Sequence, residues 1–248
     1  KALAFGFFLN IILDPLFMYG WFGLPAMGVA GVAFATVITQ TVNTIWLGKK
    51  TLDHGILPIQ TADYKPMVAT WKKLLGQSIP ATLTHASVSL GFLIVSIFVI
   101  GFGETAVAAY GIGSRIDQLI VLPAIGISIA AVAITGQNYG AKKFERVAET
   151  YNKSLLYAAQ FLLIGIIIVV AFAPQLAGLF TKDEIVIEMA STYLRITSPT
   201  YIGIAILIIS GSVLQGLAKA KHAFMLTFLR MIVISVPAIL IFAYFLGL

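Results

Sequence analysis

Long apolar stretches dominate this chain, and each is about as long as a lipid bilayer is thick. A helix needs about 20 mainly apolar residues to cross the hydrocarbon core of a membrane. Seven stretches come close to this length: Ala2–Tyr19, Gly28–Leu47, Ile79–Phe102, Val107–Ile134, Leu155–Phe180, Thr197–Leu217 and Phe224–Leu248. The sequence therefore predicts an all-α, polytopic transmembrane bundle of about seven spans.

The composition supports a membrane environment and helical spans. Of the 248 residues, 59% are hydrophobic and 10% are charged, whereas soluble domains carry roughly 25% charged residues. In lipid every backbone N–H and C=O must be paired internally, which leaves helices or closed barrels. Barrel strands alternate apolar and polar residues, but the stretch Phe161–Ala173 is almost entirely apolar. The absence of cysteine excludes disulfides and thiolate metal sites.

Basic residues lie mainly in alternate connectors, those that follow the second, fourth and sixth spans. These are Lys49, Lys50, Lys65, Lys72, Lys73, Lys142, Lys143, Arg146, Lys153, Lys219, Lys221 and Arg230. The other connectors carry only Lys182. By the positive-inside rule, loops 48–78, 140–153 and 218–223 and the N-terminal Lys1 are predicted to be cytoplasmic, with the chain in the inner (plasma) membrane. No single face collects the charge, so we expect no nucleic-acid partner.

The longest polar stretch, 48–78, predicts a cytoplasmic linker. Within it, apolar and basic side chains alternate over Lys65–Gly76 in the manner of an amphipathic helix at a membrane surface. We expect this helix to be separate from the third span.

Asp14 lies inside the first span. A carboxylate there costs at least about 2.5–3.5 kcal/mol on insertion scales, so such residues usually face the bundle interior and serve transport. Asn10 lies on the same helix face one turn earlier, and Pro15 displaces the carbonyl of Ile11 from its helical hydrogen bond. This patch can bind Na⁺ or hold a proton; a structural hydrogen bond at a proline kink is the alternative.

Further polar residues inside the spans are candidates for a substrate pathway or for simple helix packing. Thr36, Thr39, Gln40 and Asn43 recur at spacings of three and four on the second span, where small polar residues often join helices. The candidates for a substrate pathway are Gln40, Asn43, His85, Arg115 and Asp117.

Arg115 and Asp117 point in different directions on the fourth span and cannot neutralise each other. Arg115 and Arg195 can extend to the outer interface instead, which leaves Asp117 as the better functional candidate. His85 can titrate near neutral pH or act as an ordinary hydrogen-bonding residue.

Sequence motifs of enzymes are missing. The chain has no H-E-x-x-H, no G-x-S-x-G and no Walker lysine. We therefore expect a transporter rather than an enzyme, with no cofactor and no firm metal site.

Several motifs, in their order and spacing, resemble the multidrug and toxic compound extrusion (MATE) family. Asn10-Ile-Ile-Leu-Asp14-Pro-Leu-Phe and Gly31-Val-Ala-Phe-Ala-Thr36-Val-Ile are similar to its fifth and sixth helices. The family's eighth helix and the loop after it are similar to Ala109-Tyr-Gly-Ile-Gly-Ser-Arg115-Ile, Leu122-Pro-Ala-Ile-Gly126 and Gly136-Gln137-Asn138-Tyr-Gly140. Its tenth helix is similar to Tyr193-Leu-Arg195-Ile with Pro199, and to Gln215-Gly216.

The resemblance implies helices five to eleven of a twelve-helix, two-lobe transporter. Residues 1–47 then form the last two helices of the N-terminal lobe, 48–78 the inter-lobe linker, and 79–248 a C-terminal lobe without its last helix. The acidic pattern resembles the DinF-like branch. In that branch Asn10, Asp14 and Thr36 match the cation or proton site, while a partner aspartate lies outside this sequence.

The activity implied by the resemblance is antiport. Inward flow of H⁺ or Na⁺ drives export of drugs or amphipathic organic cations by alternating access, and the complete protein is expected to act as a monomer. The alternatives are a lipid-linked oligosaccharide flippase of the same superfamily, which tends to need several arginines in its cavity, and a seven-helix membrane receptor.

Overall fold

The computed structural model describes residues 2–23, 25–53 and 68–245. Within these ranges every regular element is helical, which confirms the all-α prediction. The described residues form the α-helices α1 (Ala2–Tyr19), α2 (Val29–Asp53), α3 (Val68–Ile100), α4 (Glu104–Gly140), α5 (Phe144–Gly178), α6 (Glu184–Thr197), α7 (Tyr201–Gly216), α8 (Ala220–Phe228) and α9 (Ser235–Phe245). Short 3₁₀ turns cover Trp21–Gly23 and Ser198–Thr200, and a π-helical turn covers Leu229–Ile234.

The described residues fall into two units. The first contains the hairpin α1–α2, and the second contains α3–α9.

Six helical segments in the described part of the chain are long and apolar enough to cross a membrane. They are Val29–Asp53, Val68–Ile100, Glu104–Gly140, Phe144–Gly178, Glu184–Gly216 and Ala220–Ile241. The shorter helix α1 is also apolar. Length and composition therefore agree with the predicted total of about seven spans.

The third helix begins earlier than the sequence predicted. Residues 68–76 of the expected surface helix Lys65–Gly76 continue without a break into α3. Glycine in a helix interior costs only about 1 kcal/mol relative to alanine, so Gly76 is too weak a signal to end the helix. Residues 54–67 of the predicted linker lie outside the described residues, as do Lys1 and the end of the seventh span, 246–248.

The sixth span also begins earlier than predicted. Asp183 caps the N-terminus of α6, because its carboxylate accepts hydrogen bonds from the backbone N–H groups of Ile185 at 3.0 Å and Val186 at 3.4 Å. The 3₁₀ turn around Pro199 then joins α6 to α7. Tyr193 therefore belongs to the same long helical segment as the predicted span.

Two of the predicted cytoplasmic turns have the same backbone geometry. Lys142 follows α4 with φ of 58°, and Ala218 follows α7 with φ of 57°. The next residue in each turn donates its N–H to a carbonyl five residues earlier, at 2.9 Å for Lys143 and 2.8 Å for Lys219. A residue with left-handed backbone geometry at this place is a common way to end a helix. In both turns the next helix begins directly afterwards.

The core of the second unit lies among α4, α5, α6 and α7. Its fully or almost fully buried side chains come from these four helices alone: Ile116, Ala124, Ala158, Leu162, Val169, Ala173, Leu194, Tyr201, Ala205 and Ile209. Helix α3 packs mainly against α8 instead. The unit thus consists of a tightly packed block, α4–α7, with α3, α8 and α9 beside it.

Candidate functional site

In the first unit, α2 packs against α1 through residues that recur every fourth position. Gly31, Ala35, Thr39 and Asn43 are the buried residues of α2. Across the interface, a Cβ atom at Gly6 would lie only 2.0 Å from Nδ2 of Asn43. Thr39 and Asn43 therefore belong to the stripe of α2 that is buried in the hairpin.

Two other predicted site residues of α2 lie outside that buried stripe. Thr36 and Gln40 are exposed, and the Thr36 hydroxyl donates to the carbonyl of Val32 at 3.0 Å. The four polar residues that the sequence placed on one side of this helix are thus divided between a buried pair and an exposed pair.

The hairpin contains buried oxygen atoms without hydrogen-bond partners. Oδ1 of Asp14, Oγ1 of Thr39 and Oδ1 of Asn43 are shielded from solvent and have no partner within the described residues. Asn10 is half-buried one turn before Asp14. Buried polar atoms are nearly always paired, so each of these oxygens is unusual, but they are spread along the interface: Asn43 packs beside Gly6, more than two helical turns before Asp14.

In the second unit, the acid of α4 has partners. Asp117 accepts a hydrogen bond from the Tyr193 hydroxyl on Oδ2 at 2.9 Å and another from the Tyr201 hydroxyl on Oδ1. Tyr201 is almost fully buried, and Asp117 is half-buried. The carboxylate is therefore held by one hydroxyl from α6 and one from α7.

The approach of Tyr193 to α4 depends on a glycine. A Cβ atom at Gly113, one turn before Asp117, would lie 2.4 Å from Cδ1 of Tyr193. The Tyr193 ring also meets the ring of Tyr110 edge-on, with centroids 5.6 Å apart, and Tyr110 in turn lies 5.5 Å from Phe92. Gly113 thus leaves the space that lets an aromatic cluster form beside the acid.

Asp117 and this cluster line a cavity of about 630 Å³. Its walls come from α3, α4, α6, α7, the π-helical turn and α9. Most lining side chains are apolar or aromatic: Val88, Phe92, Ile94, Val95, Tyr110, Val121, Leu122, Ile125, Tyr193, Ile204, Ile208, Met231, Val236 and Ile239. The polar ones are Ser114, Asp117, Gln118, Arg230 and Ser235.

Arg230 lies where the sequence did not predict it. Charge counting assigned it to a cytoplasmic connector, but the structure places it in the π-helical turn, half-buried in the cavity wall. A cation inside the apolar stretch Phe224–Leu248 was the available signal. The tyrosines around Asp117 were also missed, because pairing them with the acid requires tertiary contacts.

The other predicted pathway residues of the second unit, Arg115 and His85, do not line this cavity. Arg115 lines a separate hollow of about 400 Å³ together with Phe180 and Thr181. His85 is exposed on α3, and Arg195 is exposed at the end of α6. The described residues hold no group of three or more His, Cys, Asp or Glu side chains that could bind a metal ion.

Comparison with known proteins identifies the family. The MatE family model matches residues 80–241, which is more than half of the chain. This chain belongs to the MATE family. It is 26% identical over 230 residues to an FAD transporter of Shewanella oneidensis, with 92% of this chain and 51% of that protein covered. It is 27% identical over 230 residues to a probable multidrug resistance protein NorM of Thermotoga maritima, covering 93% and 50%.

A solved MATE structure has the same fold. The crystal structure of MATE in the bent conformation superposes with a TM-score of 0.85 at 26% identity, covering 98% of this chain and 54% of that one. The chain spans about half the length of the relatives it matches. The predicted family and the fold of membrane-spanning helices are therefore confirmed, and that family is one of transporters rather than enzymes.

Proposed function

We propose that this MATE chain provides the drug-binding cavity of an exporter of amphipathic organic cations. The observation that carries the proposal is the cavity around Asp117, which combines apolar walls and an aromatic cluster with one anchored carboxylate. The names of the relatives include both multidrug resistance proteins and an FAD transporter, so family membership alone does not define the substrate.

The cavity has the size and lining of a small-molecule site. Pockets for such ligands usually enclose about 300–1,000 Å³ and place a few polar groups among apolar walls. Asp117 offers a negative charge to a cationic group. The rings of Tyr110 and Phe92 offer aromatic surfaces, and a cation over such a ring gains about 0.5–2 kcal/mol.

The two tyrosine hydroxyls make this carboxylate a stable feature of the cavity. An acid within a membrane-spanning helix is expensive unless it has partners. Tyr193 and Tyr201 give each carboxylate oxygen one donor, and further lone pairs remain for a ligand. The acid can therefore attract a cationic drug without rearranging its own surroundings.

We assign energy coupling to the first unit, where Asn10, Asp14 and Thr36 match the coupling site implied by the resemblance to the DinF-like branch. The unpartnered oxygen of Asp14 supports this role, since H⁺ or Na⁺ can complete it. A carboxylate oxygen suits this role, because hard cations prefer oxygen ligands. In this proposal, alternating access links the coupling ion to export.

The orientation and assembly belong to the same proposal. Loops 140–153 and 218–223 face the cytoplasm of a cell whose inner membrane holds the protein, and the complete protein works as a monomer. A flippase finds less support, because Arg230 is the only arginine that lines the cavity within the described part of the chain.

The first experiment tests the cavity. The complete protein is purified in detergent, and binding of the cationic dye rhodamine 123 is followed by fluorescence polarisation. Loss of one charged contact is worth about 1.5–3 kcal/mol, so we expect Asp117→Asn to weaken binding about tenfold or more. Glu145→Gln removes an exposed carboxylate of α5 and serves as the control. Equal affinity in Asp117→Asn and wild type would overturn the proposed cavity.

The second experiment tests coupling. Asp14→Asn is expected to abolish dye transport driven by a pH or Na⁺ gradient in proteoliposomes, while rhodamine 123 still binds with wild-type affinity. Gradient-driven transport that persists in this variant would contradict the assignment of Asp14.

A further inference from the structure

Arg230 carries a charge into the cavity without a matching anion from the protein. Within the described residues its guanidinium forms no ion pair and no hydrogen bond. None of its atoms is both buried and unpartnered. The guanidinium nitrogens are therefore accessible rather than enclosed by protein, and the residue lines the cavity.

Arg230 is also the main free donor on its wall. The hydroxyl of Ser235 donates to the backbone carbonyl of Arg230 at 2.9 Å, and Ser114 donates to the carbonyl of Gly111 at 3.0 Å. Both serine hydroxyls are thus used by the helices themselves. Among the polar side chains of the cavity, Arg230 and Gln118 remain to donate hydrogen bonds to a ligand.

Charges of opposite sign line the same cavity without pairing. Asp117 accepts its two hydrogen bonds from tyrosines, and no Asp117–Arg230 pair is formed. Membrane-embedded cations usually pair with an anion or face water. An anionic group of a bound ligand would supply the missing partner for Arg230, as guanidinium matches carboxylate and phosphate geometry well.

We propose that the favoured substrates are zwitterionic amphiphiles, with an acidic group bound by Arg230 and a cationic group near Asp117. This inference rests on the proposed function of the cavity and narrows its substrate class. Arg230 is then the residue that separates zwitterions from simple organic cations, and the apolar walls accept the ring system that joins the two charges.

The test uses two dyes with the same ring system. Rhodamine 110 carries a free carboxylate and is zwitterionic, whereas rhodamine 123 is its methyl ester and is a plain cation. We expect the wild-type complete protein to bind rhodamine 110 more tightly. Arg230→Gln should weaken rhodamine 110 about tenfold, from the loss of one charge-assisted contact, and affect rhodamine 123 much less. Arg230→Lys keeps the charge and should retain part of the preference.

The outcomes separate this inference from the proposed function. If the wild-type protein binds both dyes equally, or if Arg230→Gln keeps the preference for rhodamine 110, the zwitterion assignment is overturned. The cavity still stands in that case if Asp117→Asn weakens rhodamine 123. Equal weakening of both dyes by Arg230→Gln would assign Arg230 to the fold and also overturn the inference.

Discussion

Two acids in membrane-spanning helices of this chain have opposite surroundings. Asp117 in the second unit accepts a tyrosine hydroxyl on each carboxylate oxygen. Asp14 in the first unit has a buried oxygen with no partner among the described residues, and Thr39 and Asn43 on α2 have unpartnered oxygens too. Asp117 thus finds its hydrogen-bond donors within its own unit, and Asp14 does not.

This difference suits the two acids to two different roles, ligand recognition and energy coupling. An acid with fixed donors keeps its orientation and presents a constant charge, which suits recognition of a ligand. A buried acid without donors raises the free energy of the protein until something arrives to satisfy it. If a coupling ion satisfies the acid, binding and release of the ion change the stability of the conformation that holds it, which suits energy coupling.

The largest expected effect comes from replacing each acid by leucine. Asp117→Leu leaves two buried tyrosine hydroxyls without an acceptor, and we expect it to lower the free energy of unfolding by about 2–4 kcal/mol. Asp14→Leu removes an unpartnered oxygen, so we expect no loss or a gain of about 1 kcal/mol. Thermal unfolding of the purified complete protein measures both. A large loss in Asp14→Leu would show that another part of the protein satisfies Asp14, and the comparison would fail.

A medium effect is expected from crowding Tyr193. Gly113→Ala places a Cβ atom against the tyrosine ring, which should shift its hydroxyl from Asp117 and cost about 2 kcal/mol by overpacking. Gly126→Ala on the same helix meets nothing within 4 Å and is the matched control, expected to be neutral or slightly stabilising. Rhodamine 123 affinity should fall in the first variant alone. Equal behaviour of the two variants would argue against a fixed Tyr193–Asp117 contact.

The smallest expected effect comes from removing the hydroxyls one at a time. Tyr193→Phe and Tyr201→Phe should each lower stability by about 1 kcal/mol, since single hydrogen bonds in membrane proteins contribute about 0.6–1.7 kcal/mol. The double variant leaves Asp117 as poorly partnered as Asp14. Thermal unfolding of Asp117→Leu in that background should then show little further loss. Full additivity would mean that the acid and the hydroxyls act independently.

Much of the fold could be predicted from the sequence, because the length of an apolar run directly limits what crosses a bilayer. The first helix was predicted with its observed ends, Ala2–Tyr19. Helix ends beyond the apolar core were harder to predict. In α3 the charged segment before Gly76 is helical as well, and hydropathy does not distinguish a helix that continues into water from one that stops.

The site was predicted only in part. Asp117 was proposed as a candidate because a carboxylate inside a membrane span is costly and usually functional. The two tyrosines that donate hydrogen bonds to it lie 76 and 84 residues away along the chain. No local pattern joins residues so far apart. Arg230 was missed because the positive-inside rule counts basic residues near the ends of spans and does not show whether a side chain faces a cavity.

The packed block α4–α7 has a consequence for how a ligand moves. Asp117, Tyr193 and Tyr201 all lie on this block, whereas Phe92 on α3 and Arg230 in the π-helical turn lie on helices that contribute nothing to its core. A path to the acid can therefore open by a displacement of α3 and the last helices alone. The acid and its two phenols then keep their arrangement, so in the proposed exporter a departing ligand would leave behind a carboxylate that is already oriented for the next one.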